Sequence, residues 1–329
     1  MNNQDITQVL KQKVIVTASA RLHMGFFDMN GDLGRLFGSL GLALDVPTTQ
    51  VEITTIDFEE KPFVTIENNQ RLIKVVNNLV NALTIKQTFS IKLQQTIPEH
   101  AGLGSGTQLA LAVGMGLNQL FKLNLSLAQI AMITNRGKRS GIGIGTFAHG
   151  GLVLDGGQGN KSKPPPIIAR HDFPENWRIL LILDSLEQGV YGDEEINAFN
   201  RLPKVELKTA QYLSHIMLMQ ALPAIAEQDY ANFSQAIYAL QTATGDYFAP
   251  AQGGLFKSKS VATVLAYLYD QQILCAGQSS WGPTGFAVFE SDASAVTMLE
   301  QLRLHFVHLT NISFQLTNAN NSGAKIVLN

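Results

Sequence analysis

Apolar and polar positions alternate in short blocks through the first half of the chain. Val14-Ile15-Val16-Thr17, Gln50 to Ile56 and Thr88 to Leu93 combine β-branched residues with alternation and predict strands. Asn69 to Leu83 predicts a helix between the second and third of these. A further helix is expected from about Thr107 to Phe121, and Ser126-Leu127-Ala128-Gln129 carries a capping-box pattern that opens another, ending near Arg136. Ala110, Ala112, Gly114 and Gly116 let neighbours approach the 107–121 helix closely, which predicts a central place for it. In the second half, Trp177 to Leu183 is an apolar strand and residues 193–201, 206–227, 229–243 and 258–270 have helical periodicity. Short strands are expected at 272–276, 284–289 and 312–317. No internal repeat or heptad run is present, and the half as a whole reads as α+β.

The segment from Ile97 to Gln108, with Gly102-Leu103-Gly104-Ser105-Gly106-Thr107 at its centre, places three glycines just before a helix. Glycines let backbone amides converge on a phosphate, and the helix adds its free N–H groups and positive dipole end. The loop has no lysine and so is not a Walker sequence, and Gly102-x-Gly104-x-Gly106 is one residue short of a dinucleotide fingerprint. A tight turn whose glycines only allow close packing is the alternative.

Three other stretches concentrate chemistry. Ser19 to Arg35 packs Arg21, His23, Asp28 and Asn30 with two aromatics into what reads as the turn after the first strand. Singly, Arg21 and Asp28 could pair, and His23 could be a core residue. Ser140 to Gly151 is a second glycine-dense loop, alternatively a helix C-cap followed by a bulge. Gly277-Gln278-Ser279-Ser280-Trp281-Gly282-Pro283-Thr284 sets a tryptophan among hydroxyls and glycines between two short strands.

Composition narrows the class. With 329 residues, 45% of them hydrophobic, the chain can form two domains with sizeable cores. Lys and Arg number 24 against 26 Asp and Glu, and no basic stretch is interleaved with aromatics, which argues against nucleic acid as a partner. The single cysteine, Cys275, excludes an intrachain disulfide and reads as a buried apolar residue. The N-terminus lacks the plan of a signal peptide and no apolar run reaches membrane-spanning length, so a cytoplasmic protein is expected. Residues 156–166, rich in Gly, Pro and Lys, read as a surface connection near a domain junction.

In this order the stretches resemble the small-molecule kinase superfamily of galactokinase, homoserine kinase, mevalonate kinase and phosphomevalonate kinase. The loop 98–108 is similar to its Pro-x-x-x-Gly-Leu-Gly-Ser-Ser phosphate loop, with Gly106 in place of the second serine. A closer resemblance is to the β-ribofuranosylaminobenzene 5'-phosphate synthase family. It rests on Arg21-Leu22-His23 with Asp28, Asn30-Gly31 with Gly34-Arg35, Gly41 to Asp45, Gly143 to Phe147, Gly150-Gly151, Asp155 to Gly157, Asp172 to Trp177 and Gly277 to Thr284.

The resemblance implies an α+β fold of two domains: an N-terminal domain over 1–165 like the second domain of ribosomal protein S5, carrying the phosphate loop, and a ferredoxin-like C-terminal domain over 166–329. It implies condensation of phosphoribosyl pyrophosphate with 4-aminobenzoate or 4-hydroxybenzoate to an aryl C-riboside 5'-phosphate, with release of CO2 and pyrophosphate. That decarboxylating pentosyl transfer belongs to methanopterin biosynthesis and uses Mg²⁺. The residues implied for catalysis are Arg21, His23 and Asp28, with His149 a second acid/base candidate. Gly102, Leu103, Gly104, Ser105, Gly106, Thr107 and Arg35 would take the phosphates, and Ser279, Ser280, Trp281 and Thr146 the aryl acid. Asp193-Glu194-Glu195 offers candidate Mg²⁺ ligands, Asp193 and Glu194 foremost, or else the acidic first turn of a helix, and Asp28 is the competing ligand. An ATP-dependent kinase of a small alcohol is the alternative, weakened because Ser140-Gly141-Ile142-Gly143 lacks the carboxylate many superfamily kinases carry there. A non-catalytic phosphate sensor is a third reading. The apolar helices of the second half leave room for a homodimer.

Overall fold

The described residues, 11–56, 64–66, 69–160, 163–190 and 192–329, are those of a computed structural model, and the side chains of Thr65, Asp193 and Ile196 lie outside the description. So do the first ten residues and Lys161-Ser162 of the expected connection. Two long antiparallel strands, β1 (Lys13–Asp28) and β3 (Gly38–Thr55), flank the two-residue β2 (Arg35–Leu36). The strands expected at 14–17 and 50–56 are segments of these, and the supposed turn from Ser19 is mostly strand. There follow β4 (Val64–Ile66), α1 (Gln70–Leu83), β5 (Phe89–Gln95), α2 (Ser105–Phe121), α3 (Leu127–Ile133), α4 (Ile142–His149), β6 (Leu152–Asp155), β7 (Gln158–Gly159) and β8 (Ile167–His171). The capping box at Ser126 and Gln129 forms, and Asn69 caps α1.

The second half runs β9 (Arg178–Asp184), α5 (Gly192–Arg201), α6 (Leu207–Ile216), α7 (Leu222–Glu227), α8 (Tyr230–Gln252), α9 (Lys259–Asp270), β10 (Ala276–Gln278), β11 (Gly285–Phe289), α10 (Asp292–His305), β12 (Ile312–Thr317) and β13 (Lys325–Leu328). One π turn, Met217–Ala221, joins α6 to α7. Among the described residues no helix is long and apolar enough to cross a membrane. Helix α10, β8 and β13 have no counterpart in the sequence expectations.

A first sheet contains β13-β1-β3-β5-β4 with β6 and β8 branching from β3, and a second has the order β10-β11-β9-β12. Helices α1 to α3 cover one face of the first sheet, and α6 to α8 fill the space between the two sheets. Helices α9 and α10 close the far side of the second. Helix α2 is central as expected, buried along most of its length and packed on β1, β3 and three neighbouring helices. Sheet membership does not change at residue 165: β8 and β13 both pair into the first sheet.

One irregularity in β1 positions the site. Val14, Val16 and Ala18 pack under α1 to α3, whereas Ala20, Leu22 and Met24 pack against α6 to α8. The even-numbered pattern is unbroken in the sequence, yet the face changes where the pairing with β3 jumps between Ser19 and Arg21. A register irregularity inverts every later side chain. Arg21 and His23, the odd residues that follow, are thereby turned to the side where α2 begins.

Candidate active site

Gly104 is the N-cap of α2, with φ +81° and ψ 13°, and no side chain caps the helix. That positive φ suits glycine and disfavours any L side chain. The N–H groups of Thr107 and Gln108 fold back to the Gly104 carbonyl at 3.0 and 3.1 Å. Those of Ser105 and Gly106 precede the first helical acceptors, so the helix presents free donors and its positive dipole end.

Three guanidiniums surround this terminus. Arg21 donates Nη1–H to the Gly102 carbonyl at 2.6 Å, while its buried Nε–H has no partner among the described residues. Arg71 of α1 donates to Ser105 Oγ at 3.1 Å and pairs with Glu99 at 3.0 Å. Arg136, following α3, has a buried Nε–H without a partner and no carboxylate beside it among the described residues. A Cβ on Gly106 would stand 2.7 Å from Arg71 Nη2 and 3.3 Å from Arg136 Nη1. Glycine at this position is what lets the two cations close in. Burial first, then the charge of Arg71, lowers the Arg136 pKa. Burial brings Arg21 down to about 10, with Glu195 pulling it back. Arg21 therefore remains a cation at neutral pH.

The cleft has two lobes. The smaller, about 560 Å³, is lined by the α2 terminus, Arg71, Lys74 and Asn78 of α1, His100 and Arg136. The larger, about 1170 Å³, has Phe26, Phe37, Phe199 and Trp281 in its walls, with Lys138, Arg139 and Lys163 on its rim. Arg21, Thr107, Arg136, Glu195, Ser280 and Trp281 line both and form the waist. Glu195 accepts from Arg139 at 2.8 Å, and the Arg139 guanidinium lies 4.5 Å from the centre of the Phe199 ring. Trp281 is 3% exposed and packs on Phe248 and Phe199 with ring centres 4.2 and 5.3 Å apart, yet its indole N–H has no partner among the described residues.

His23 lines the larger lobe and is 4% exposed. Burial, and secondarily the charge of Arg21, brings its pKa down to about 3, so the ring is neutral. The turn carrying Trp281 is sewn to β1 and the glycine loop. Ser279 Oγ accepts from His23 N–H at 3.0 Å and donates to the Gly102 carbonyl at 2.8 Å, and Ser280 N–H donates to the His23 carbonyl at 3.0 Å. Gln241 of α8 braces the same seam, donating to the Met24 carbonyl at 2.6 Å and accepting from Gln278 N–H at 2.8 Å. The waist is thus built by both halves of the chain.

Residues 70–151 match the family model described as the GHMP kinases N terminal domain. The chain is 34% identical to a β-ribofuranosylphenol 5'-phosphate synthase of Archaeoglobus fulgidus, over 84% of this chain and 88% of the relative. It is 32% identical to the protein of that name from Methanocaldococcus jannaschii, over 95% of this chain and all of the relative. The chain belongs to this synthase family. Its fold is also that of homoserine kinase from Cytophaga hutchinsonii, with a TM-score of 0.69 at 19% identity over 97% of this chain and 99% of that one. It is therefore an enzyme of a synthase branch on the GHMP kinase fold.

Not every residue expected at the synthase site lies in the cleft. Arg21, His23, Gly102, Gly104, Ser105, Gly106, Thr107, Ser280 and Trp281 line it. Leu103 is 1% exposed and contributes only its carbonyl, which accepts from Arg21 N–H at 3.1 Å. Ser279 is wholly buried and acts through the seam. Asp28 instead ends β1, its carboxylate accepting from Asn30 N–H at 2.9 Å. Arg35 donates to the carbonyls of Gly156 and Gly157 at 2.6 and 2.7 Å, fastening that connection rather than lining either lobe.

The glycine-dense stretch after Ser140 is largely the helix α4, and Thr146 lies inside it, bonded back to the Ile142 carbonyl at 2.8 Å. Its N-terminus is held by Asp155, distant in sequence and fully buried, which accepts from Ser39 Oγ, Ser140 Oγ, Gly141 N–H and Gly157 N–H at 2.6 to 2.9 Å. His149 ends α4 beside Arg170 and Ser322, away from the cleft. Glu194 lines a separate hollow with Arg201 and Pro250, and Glu195 takes the place at the waist. Asp193 has no described side chain. The sequence reading missed Arg71, Lys74, Arg136 and Phe199, and offered Glu195 only as a metal ligand beside Asp193 and Glu194. Arg71 and Lys74 are three residues apart on α1, a spacing that puts both on one face but also describes an ordinary solvated helix.

Proposed function

We propose that this enzyme joins phosphoribosyl pyrophosphate to 4-hydroxybenzoate, forming an aryl C-riboside 5'-phosphate with release of pyrophosphate and CO2. The observation that carries the reading is one waist shared by a cationic lobe and an aromatic lobe, the two environments this substrate pair needs side by side. That the archaeal relatives are named for a ribofuranosylphenol favours the hydroxy acid over 4-aminobenzoate as acceptor.

In this reading the pyrophosphate lies against the free amides of α2, between Arg71 and Arg136, with Lys74 extending the cationic surface. The anomeric carbon reaches the waist, and the arene enters from the larger lobe with its carboxylate toward the lysines and arginine of the rim. As the C–O bond to pyrophosphate breaks, its electron pair leaves on oxygen, and charge-assisted hydrogen bonds take up that charge. The ring carbon bearing the carboxylate, made electron-rich by the para hydroxyl, bonds to the anomeric carbon. Loss of CO2 returns an electron pair to the ring. Aromatic walls exclude water from the oxocarbenium-like centre and hold the arene face-on.

Among the described residues, Glu195 is the carboxylate common to both lobes. One carboxylate and the hydroxyls of Ser105 and Thr107 fit a Mg²⁺ that arrives on the donor's pyrophosphate, since such an ion needs only one or two protein ligands. When bound it would neutralise the departing pyrophosphate.

Purified protein with Mg²⁺, phosphoribosyl pyrophosphate and 4-hydroxybenzoate is expected to release pyrophosphate and CO2 in equal amounts. ADP formation from ATP with a small alcohol, and no arene-dependent pyrophosphate release, would establish the kinase reading instead. Tight phosphate-ligand binding with neither activity would establish a sensor.

A further inference from the structure

His23 is the one titratable side chain in the aromatic lobe that is both buried and without a hydrogen bond at its outer nitrogen, Nε2, among the described residues. A neutral imidazole has one nitrogen that donates and one that accepts. The pull on the ring toward its protonated form comes from its own backbone. Of the two ring nitrogens only Nδ1 can reach the carbonyl of its own residue, and in the tautomer that keeps the proton there Nε2 presents a bare lone pair. The ring packs on Phe26, with centres 4.4 Å apart, in the wall against which the arene would lie. The unpartnered polar atoms of Arg21 and Trp281 at the adjacent waist are both N–H donors, and the carboxylate of Glu195 there is engaged by Arg139. Among the described residues, a hydroxyl entering this lobe therefore finds its one buried acceptor without a partner on His23.

We propose that Nε2 of His23 accepts the hydrogen bond of the acceptor's para hydroxyl and holds its proton while the new carbon–carbon bond coexists with the carboxylate. The assignment rests on the aryl ribosylation proposed above. When the ring carbon takes the anomeric carbon and pyrophosphate departs with the C–O electron pair, the ring is left cationic and its para O–H becomes strongly acidic. The proton moves to Nε2, the O–H pair becomes the second bond of a para carbonyl, and a neutral dienone results. When the bond to the carboxylate breaks, its electron pair enters the ring, CO2 leaves, and the carbonyl oxygen takes the proton back. His23 ends as it began, and no net proton is exchanged.

The neighbourhood of Arg21 suits this cycle. A strongly basic imidazole would already be protonated at neutral pH and would not return the proton. Burial and the nearby cation keep His23 neutral beforehand and quick to release afterwards. An aniline N–H could use the same nitrogen, so the device serves either para substituent.

The test compares 4-hydroxybenzoate with 4-methoxybenzoate, which keeps the electron-donating oxygen but has no proton to lend. Single-turnover rates are read with the wild type and with His23→Gln, and calorimetric affinity for phosphoribosyl pyrophosphate reports that the variant's cleft is intact. Wild type is expected to favour the hydroxy acid by about 100-fold, a size ordinary for positioned acid–base groups. His23→Gln should lose that preference, slowing the hydroxy acid by about 100-fold and the methoxy acid by only a few-fold. The hydroxy reaction should also show a normal solvent deuterium isotope effect in wild type that is absent in the variant. A variant that retains the preference and the isotope effect, or slows both arenes equally, overturns the assignment. Release of pyrophosphate with neither arene in wild type would instead overturn the ribosylation reading itself.

Discussion

Arg71 and Arg136 come within reach of one another over Gly106, one held by Glu99 and Ser105 and the other by no side chain among the described residues. Like charges kept together beside a positive helix terminus raise the free energy of the empty protein. A bound anion relieves that repulsion.

Arg136→Ala should therefore weaken phosphoribosyl pyrophosphate binding by about 10- to 100-fold, the worth of one or two charge-assisted hydrogen bonds. Thermal stability should hold or rise, since the side chain makes no hydrogen bond or ion pair among the described residues. Calorimetry and a melting curve on the same sample check both halves. A lowered melting temperature with unchanged affinity would make Arg136 a structural residue.

Gly104→Val and Gly102→Ala should separate ligand binding from folding. At Gly104 a Cβ would meet the flexible Arg21 side chain, 3.1 Å away, in a backbone with φ +81°. The variant should fold, at a cost of about 1–3 kcal/mol, and lose donor affinity. At Gly102 a Cβ would strike the carbonyl oxygens of Ser279 and Gly282, which are backbone and cannot swing aside. That variant should be the less stable of the two by chemical denaturation.

The buried neutral His23 makes stability depend on pH. Its folded pKa, about 3, lies below the ordinary value of 6.5, so between these the unfolded chain binds a proton that the folded one does not. The contribution is full above pH 6.5 and lost as pH falls toward 3, at no more than about 1.4 kcal/mol per pH unit. Urea unfolding at pH 7 and pH 4.5 should show a smaller drop for His23→Gln than for wild type. An equal drop would mean that other groups carry the acid sensitivity.

Trp281→Phe keeps an aromatic wall and removes the unpartnered indole N–H. It should raise KM for the aryl acid several-fold while leaving that for phosphoribosyl pyrophosphate within about twofold, as expected for one lost hydrogen bond. A change confined to the donor would place the indole on the ribose side of the waist. Trp281→Ala is a poorer probe, because emptying the contact with Phe199 and Phe248 should cost about 3–5 kcal/mol.

Local chemistry was legible in the sequence. Asn69, Ser126 and the run after Gly104 marked helix starts because caps and glycines act on neighbouring residues. The glycine loop marked the start of α2, where Arg21, Arg71 and Arg136 gather, and Arg21, His23 and Trp281 stood out by their company. Glycine density misled after Ser140, where α4 is capped by a carboxylate fifteen residues away from the serine that opens it. Asp28 and Arg35 stood close to Arg21 in sequence but turn onto backbone groups of the β1 end and the 156–157 connection.

The sequence by itself carried the motifs whose resemblance gives the family, the glycine loop and the kinds of residue gathered near it, since each lies along a few consecutive positions. Tertiary structure alone decided which of them meet. Arg21 and His23 face the cleft because the pairing of β1 with β3 slips at Ser19, while the apolar alternation runs on unbroken. Arg71, Arg136, Glu195 and Phe199 join them from α1, the α3 end and α5, separated by tens of residues. A register slip and long-range packing are set by how whole sheets and helices fit, and no local pattern of residues records them.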